Sequence, residues 1–128
     1  MLYKALSRGE AVGLLPDQAP GVGEGLWADF FGRPAYTMTL VQRLQRASDA
    51  AVIMAFAERL PAGRGYRLHL EELPVQGLDE AMLNRAVEAQ VRRCPEQYLW
   101  SYNRYKTPAG ADAPPAAKEE GEREKGKV

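Results

Sequence analysis

Two apolar runs decide how this chain reads: Ala11-Val12-Gly13-Leu14-Leu15 and Ala50-Ala51-Val52-Ile53-Met54-Ala55-Phe56. Each is short and continuously apolar, the pattern of a strand buried on both faces in a parallel sheet. Gly9 and Pro16 bound the first run. Between the runs, Leu40, Val41, Leu44 and Ala47 fall at helical spacing, which predicts a helix over 37–48 with one buried face. Thr37 is its expected N-cap, since its hydroxyl can accept a bond from an unpaired N–H of the first turn. Strand, helix and strand in that order predict a right-handed parallel crossover. The expected fold class is therefore α/β, built on a partial mixed sheet.

The rest of the chain extends this frame. Residues 2–8 read as the last turns of a helix closed by Gly9, and no start signal precedes them, so the chain is expected to begin inside a structural unit. Residues 16–24 are loop, and 26–31 are a second extended segment before a turn at Gly32-Arg33-Pro34. After the turn Pro61-Ala62-Gly63-Arg64-Gly65, residues 66–73 alternate. Tyr66, Leu68 and Leu70 point one way and Arg67, His69 and Glu71 the other, which predicts a hairpin strand with one wet face. Asp79 caps a helix reaching Arg93, with Leu83, Val87 and Val91 in one stripe that Cys94 continues. That helix stops before Pro95, and a short final helix is expected over 96–102. From Thr107 onward the Ala, Pro, Gly, Lys and Glu residues have little to bury. Residues 1–106 are thus expected to be one domain and 107–128 a disordered polar tail.

Bulk composition excludes several functions. A chain of 128 residues allows one domain with a modest core. Seventeen basic residues balance seventeen acidic ones, so no overall field recruits nucleic acid, and no nucleic-acid partner is expected. One cysteine cannot form an internal disulfide. No apolar run approaches the roughly 20 residues that span a bilayer, and Met1-Leu2-Tyr3-Lys4 opens no signal peptide. Alone, the polypeptide reads as soluble and cytoplasmic.

Several spaced blocks carry a more specific signal. They are Gly13-Leu14-Leu15-Pro16-Asp17-Gln18, Phe30-Phe31-Gly32-Arg33-Pro34-Ala35, Thr37-Met38-Thr39, Cys94-Pro95-Glu96-Gln97-Tyr98-Leu99-Trp100 and Asn103-Arg104-Tyr105-Lys106. In this order they closely resemble the C-terminal half of the lipid A biosynthesis acyltransferases, the late lauroyl/myristoyl transferases of Gram-negative bacteria. The resemblance spans about residues 3–106. It implies the C-terminal half of a glycerolipid-acyltransferase-like fold. It also implies transfer of a fatty acyl chain from acyl carrier protein to a hydroxyl of a lipid A precursor, with no cofactor or metal. The family works at the cytoplasmic face of the inner membrane, attached through an N-terminal segment. Its catalytic His-x-x-x-x-Asp/Glu pair lies upstream of these blocks, and its histidine removes the hydroxyl proton. Here the one histidine is His69, followed five positions later by Pro74. The chain is therefore expected to lack the general base and to be inactive alone. Members often carry a proline in the strand matching Val52-Ile53-Met54, and none stands here.

The candidate site residues follow from position and from the resemblance. Asp17 and Gln18 stand at the end of a predicted parallel strand, where open α/β sheets bind ligands. Pro16-Asp17 also reads simply as a turn. The resemblance assigns Asp17 to a characteristic acidic position, in a supporting role. Arg33, Thr37, Arg59 and Arg104 are candidate partners for the phosphates of the acceptor lipid or the donor's phosphopantetheine arm, with surface solvation the other reading. His69 is expected to be an exposed, solvated residue. Residues 95–106 mix aromatic and basic side chains, as membrane interfaces do, and read equally as a packed C-terminal segment. The alternative function is a non-catalytic binding module, or one half of a split enzyme docking onto a partner with the histidine motif. A partial sheet of that kind would expose an apolar face.

Overall fold

The computed structural model of the chain describes residues 1–116. In chain order the elements are α1 (Leu2–Ser7), β1 (Gly25–Phe30), β2 (Arg33–Met38), α2 (Leu40–Ser48), β3 (Val52–Arg59), β4 (Tyr66–Leu73) and α3 (Glu80–Arg93). Single 3₁₀ turns form at Pro61–Gly63 and Pro95–Gln97. The architecture is mixed α/β, but the strands form two separate antiparallel ribbons, β1–β2 and β3–β4.

The β1–β2 ribbon and α3 form the packed half. Gly25 pairs with Met38 and Phe30 with Arg33, which leaves a two-residue turn of Phe31 and Gly32. Both turn residues have positive φ, +48° and +75°, as a type I′ hairpin turn requires. Glycine adopts that backbone freely, whereas a bulky Phe31 there costs on the order of 1–3 kcal/mol. A backbone bond offsets the strain: the Phe31 N–H donates to Glu88 Oε1 at 2.6 Å. At the ribbon's other end, a Cβ on Gly25 would meet Pro20 Cγ at 2.6 Å and the Thr37 carbonyl at 2.8 Å. No larger residue fits there.

Helix α3 lays its stripe on this ribbon. Leu83, Val87 and Val91 are buried, and Cys94 continues the line as expected. Phe30, Ala35, Val87 and Val91 make the central cluster, with Met54, Tyr98 and Tyr105 packed against it. Burying one large apolar side chain of this kind contributes about 1.5–3 kcal/mol. Asp79 caps α3 as its sequence position predicts, its Oδ1 accepting from Met82 N–H at 2.8 Å.

Elsewhere the structure differs from the sequence expectations. Residues 11–15 join no ladder, and β3 pairs only with β4, so the expected parallel crossover is absent among the described residues. The short loop 60–65 closes an antiparallel pair at small entropic cost, whereas a crossover must close a long connection first. Arg33-Pro34 is strand, with the turn one step earlier. Helix α2 starts at Leu40 because residues 37 and 38 are drawn into β2, and Thr39 occupies the N-cap position with no side-chain cap bond. Its buried residues are Gln42 and Gln45, while Ala47 is exposed. The final helix expected over 96–102 is only the 3₁₀ turn Pro95–Gln97, which Pro95 nucleates but poor 3₁₀ geometry does not extend.

The β3–β4 ribbon is the loosely covered half. Ala55 faces Leu70 and Ala57 faces Leu68 on one side, and Phe56 faces His69 on the other. The side with Ile53, Tyr66, Leu68 and Leu70 is open, with these four residues 52–71% exposed. Arg67 and Glu71 on the other face are exposed as well, so both faces of β4 are wet where the sequence predicted one, and only His69 and Leu73 are partly covered. Of the expected tail, residues 107–116 hold turns without helix or strand, and residues 117–128 lie outside the described residues.

Candidate functional site

The segment 11–15 runs beside β3, and two apolar grooves of about 260 and 270 Å³ flank it, sharing Leu14, Pro16, Met54 and Ala55. The first groove is closed by Leu6, Val41, Leu44 and Leu83. Asp17 stands in the wall of the second, with Phe56, Cys94 and Tyr98. The carboxylate charge of Asp17 acts on its neighbours. Together with burial, which is the larger cause, it pushes the Tyr98 phenol above its ordinary value.

The loop carrying Asp17 and Gln18 is held from the C-terminal segment. Tyr102 Oη accepts the N–H of Ala19, the residue after Gln18, at 2.9 Å. Two residues on, Arg104 enters the interior and is 3% exposed. Its guanidinium donates to the Tyr36 carbonyl at 2.7 Å, to Thr37 Oγ1 at 3.0 Å and to Asn84 Oδ1 at 3.2 Å. Asn84 Nδ2 donates in turn to Thr37 Oγ1 at 2.8 Å and to the Asp29 carbonyl at 3.2 Å. Tyr105 Oη adds a 2.6 Å bond to the Phe30 carbonyl. No carboxylate forms an ion pair with Arg104 among the described residues, so oxygen dipoles and the Phe30 ring, 5.4 Å away, solvate the charge. Burial lowers the guanidinium's proton affinity, and the charge of Asp17 is among the influences that raise it.

Thr37 and Arg104 are therefore brought together, and both are internal. Thr37 caps no helix: it lies in β2 with its side chain buried, because the β1–β2 register extends to Gly25–Met38. Arg33 is exposed at the hairpin tip, its guanidinium 4.3 Å from the centre of the Tyr105 ring. Arg59 is also exposed, but its backbone is clasped by the Gln97 amide, which accepts at 2.8 Å and donates at 3.0 Å. Gln97 lines the Asp17 groove, so Arg59 stands at that groove's rim. Gln18 is exposed beside Asp17.

His69 is not the solvated residue expected from alternation. Its side chain is 18% exposed and stacks on Phe56, centroids 4.5 Å apart and planes within 10°. Nε2 lies 3.1 Å from Glu58 Oε2, and Nδ1 lies 2.9 Å from an Arg93 nitrogen. A guanidinium only donates, so Nδ1 is the acceptor and Nε2 carries the proton shared with Glu58. Both ring nitrogens are thus occupied, and no lone pair is free to act as a base.

Sequence reasoning missed Asn84, Tyr102 and the Glu58–His69–Arg93 group. Asn84 had a readable signal: it falls three and seven residues before Val87 and Val91, on the buried stripe. A polar side chain in such a stripe must find partners, and here it joins β1, β2 and Arg104. Cys94 is buried and donates to Glu96 Oε1 at 3.2 Å. That bond, more than burial, holds its thiol above the ordinary value.

Comparison with known proteins gives the arrangement a context. A family model described as "Bacterial lipid A biosynthesis acyltransferase" matches residues 1–107. The chain is 37% identical over 109 residues to "Lipid A biosynthesis palmitoleoyltransferase" of Escherichia coli strain K12, covering 80% of this chain and 36% of that protein. It is 34% identical over 115 residues to "Lipid A biosynthesis lauroyltransferase" of the same organism, covering 83% and 37%. A "Lipid A biosynthesis acyltransferase" of Haemophilus influenzae is 30% identical over 99 residues, covering 73% and 30%. The chain thus spans about a third of the length of the curated relatives it matches.

Proposed function

The chain belongs to the bacterial lipid A biosynthesis acyltransferase family, and from that premise we propose that it takes part in moving a fatty acyl chain onto a hydroxyl of a lipid A precursor. The observation that carries this reading is Asp17 in the wall of an apolar groove, on the loop that follows the Gly13–Leu14–Leu15 segment. An acyl chain needs an aliphatic trough, and the reacting carbonyl at its end needs polar groups. Leu14, Met54, Phe56 and Val87 supply the first, Asp17 and Gln18 the second. In the reaction, a base takes the acceptor's hydroxyl proton while its oxygen attacks the thioester carbonyl; the C–O bond forms, the C–S bond breaks, and the thiolate of acyl carrier protein leaves and is protonated. This chain contributes the groove and an orienting carboxylate. Arg59, at the groove's rim, is the candidate contact for a phosphate of the acceptor or of the donor arm, and Arg33 the candidate at the hairpin tip. Arg104 and Thr37 act from within, holding the C-terminal segment to β2. The base is supplied by a part of the enzyme other than residues 1–116, because both nitrogens of His69 are engaged.

The test is a chimera in which residues 1–107 replace the matching stretch of the E. coli palmitoleoyltransferase, with lipid A acylation read by mass spectrometry. The chimera is expected to acylate, Asp17→Asn to lower kcat/KM on the order of a hundredfold, and His69→Gln to leave it unchanged. The purified chain alone is expected to transfer no acyl group. A folded but silent chimera, or a fully active Asp17→Asn form, defeats the reading.

One observation favours a second reading, a module that docks onto a complementary protein. The open face of β3–β4 presents Leu68 and Leu70 at 62% and 64% exposure, apolar surface that a docking partner would cover. Stable capture by the chain of a partner carrying the histidine motif, without turnover, favours this alternative.

A further inference from the structure

Two backbones flank the first apolar groove without pairing across it. On one side lie Val12, Gly13 and Leu14, and on the other lies β3 from Val52 to Ala55. The two grooves succeed one another along β3, at residues 50–55 and then 54–57. They follow the segment in the same order, at 12–16 and then 14–17, so the two backbones run in one direction. Among the described residues, 11–15 form no backbone-to-backbone hydrogen bond, and β3 has a ladder neighbour on one edge only. That is the arrangement of two next-nearest strands of a sheet with room for one between them. From it we infer that this groove of about 260 Å³ is a slot for one added β-strand, an apolar strand from the part of the acyltransferase family's chain that residues 1–116 do not contain.

Edge chemistry separates β3 from its neighbour. Strands left at the rim of a sheet carry charges, proline or bulges that deter further pairing. β4 fits that description, with Arg67, His69, Glu71 and Glu72. Residues 50–57 hold no charge and no proline, the composition of a strand with neighbours on both edges. The slot is apolar too, walled by Val12, Leu14 and Met54 and closed by Val41, Leu44 and Leu83. An apolar strand entering it gives up no polar contact, and its N–H and carbonyl groups meet those of β3 and of residues 12–14. A helix suits the slot less well, because its backbone groups bond internally and leave both flanking backbones unmet. The chain spans 36% of the E. coli palmitoleoyltransferase, so the larger part of such a protein is available to supply the strand. The slot ends at Leu14 and Ala55, where the Asp17 groove begins, and the acyl trough stays open. The inference rests on the family membership and goes beyond the acyl-transfer reading.

Hydrogen exchange read by mass spectrometry tests the slot, on the intact chain and on the chimera in which residues 1–107 replace the matching stretch of the palmitoleoyltransferase. In the chain alone, the amides of residues 12–15 are expected to exchange at the rate of an unpaired peptide. In the chimera they should slow on the order of a hundredfold or more, and the β3 amides facing away from β4 should slow with them. Ala55→Lys, at an exposed position on the slot's wall, should leave the unfolding midpoint of the chain alone in place and cancel the slowing at 12–15. Leu68→Ser with Leu70→Ser, on the open face of the ribbon, should leave the slowing intact. If the chimera does not fold, the rest of the transferase, expressed beside the chain as a second polypeptide, gives the same readout. The inference is overturned by free exchange at 12–15 in the folded chimera or, failing that, in the paired polypeptides. Slow exchange there in the monomeric chain, loss of the slowing in the Leu68/Leu70 variant, or indifference to Ala55→Lys likewise overturns it. Slowing that grows with the concentration of the chain alone, with a dimer in sedimentation, assigns the slot to a second copy and also overturns it. Exchange is read without turnover: a silent chimera with slow exchange at 12–15 defeats acyl transfer alone, and an active one with free exchange defeats the slot alone.

Discussion

The two ribbons of this molecule have similar lengths and opposite fates. In β1–β2, residues 35–37 are all buried, and α3, Arg104 and Tyr105 close over them. In β3–β4, no residue is fully buried and one face is uncovered, although β3 is the more apolar strand. Apolar sequence alone did not decide which ribbon became core. The difference lies in what the rest of the chain offers each one: a helix and a tethered C-terminal segment for the first, little more than the rim of α3 for the second. A strand's hydrophobicity creates a need for cover, and only a neighbouring element meets it.

The largest expected effect falls on the tether. Arg104→Ala removes a donor from the Tyr36 carbonyl and from Asn84 Oδ1 inside the packed half, and leaves Thr37 Oγ1 with Asn84 Nδ2 alone. It should destabilise by about 2–5 kcal/mol, read by urea unfolding. A loss near zero would show that the packed half does not depend on the arginine. Leu83→Ala, at a side chain 1% exposed, should cost about 2–4 kcal/mol in the same assay. A smaller change, specific to alkaline pH, should come from the phenols. Burial raises the proton affinity of Tyr98 and Tyr105 in the folded chain. The folded state therefore holds these protons more tightly than the unfolded state, and their contribution is complete below the ordinary tyrosine value of about 10. Stability should fall as pH rises past it, and Tyr105→Phe should blunt that fall. Asp79→Ala should remove about 1 kcal/mol by uncapping α3. At the small end, Leu68→Ser with Leu70→Ser should shift the unfolding midpoint by less than about 0.5 kcal/mol per site and raise solubility. A large loss there would mean that the open ribbon face is covered in solution, and the contrast between the ribbons would vanish.

Much of the packed half was readable. The α3 stripe, its Asp79 cap and the stop before Pro95 all follow from local rules, because capping and helical period act within a few residues. The family blocks were readable for the same reason, being contiguous. What could not be read was partnership across long separations. Thr37 looked like a helix cap because a threonine before a helical pattern usually is one; the strand register, set by pairing with Gly25 and Leu26, placed it inside instead. His69 looked solvated because alternation ignores which face of a ribbon meets a helix; Arg93 and Phe56 cover it. The 11–15 run looked like a paired strand because its residues suit one, yet pairing also needs a free edge within reach.

Sequence by itself determined the family, the α3 helix and the presence of one histidine, since each depends on residue identity or on spacing within one element. Only the tertiary structure decided that both histidine nitrogens are engaged, that Arg104 is an internal tie for β2, and that Asp17 stands in the wall of an apolar groove. These are contacts between residues 11 to 83 positions apart, as in the Glu58–His69 and Ala19–Tyr102 bonds. Local propensity carries no information at that range, and the packing of the whole chain selects which of many polar groups meet.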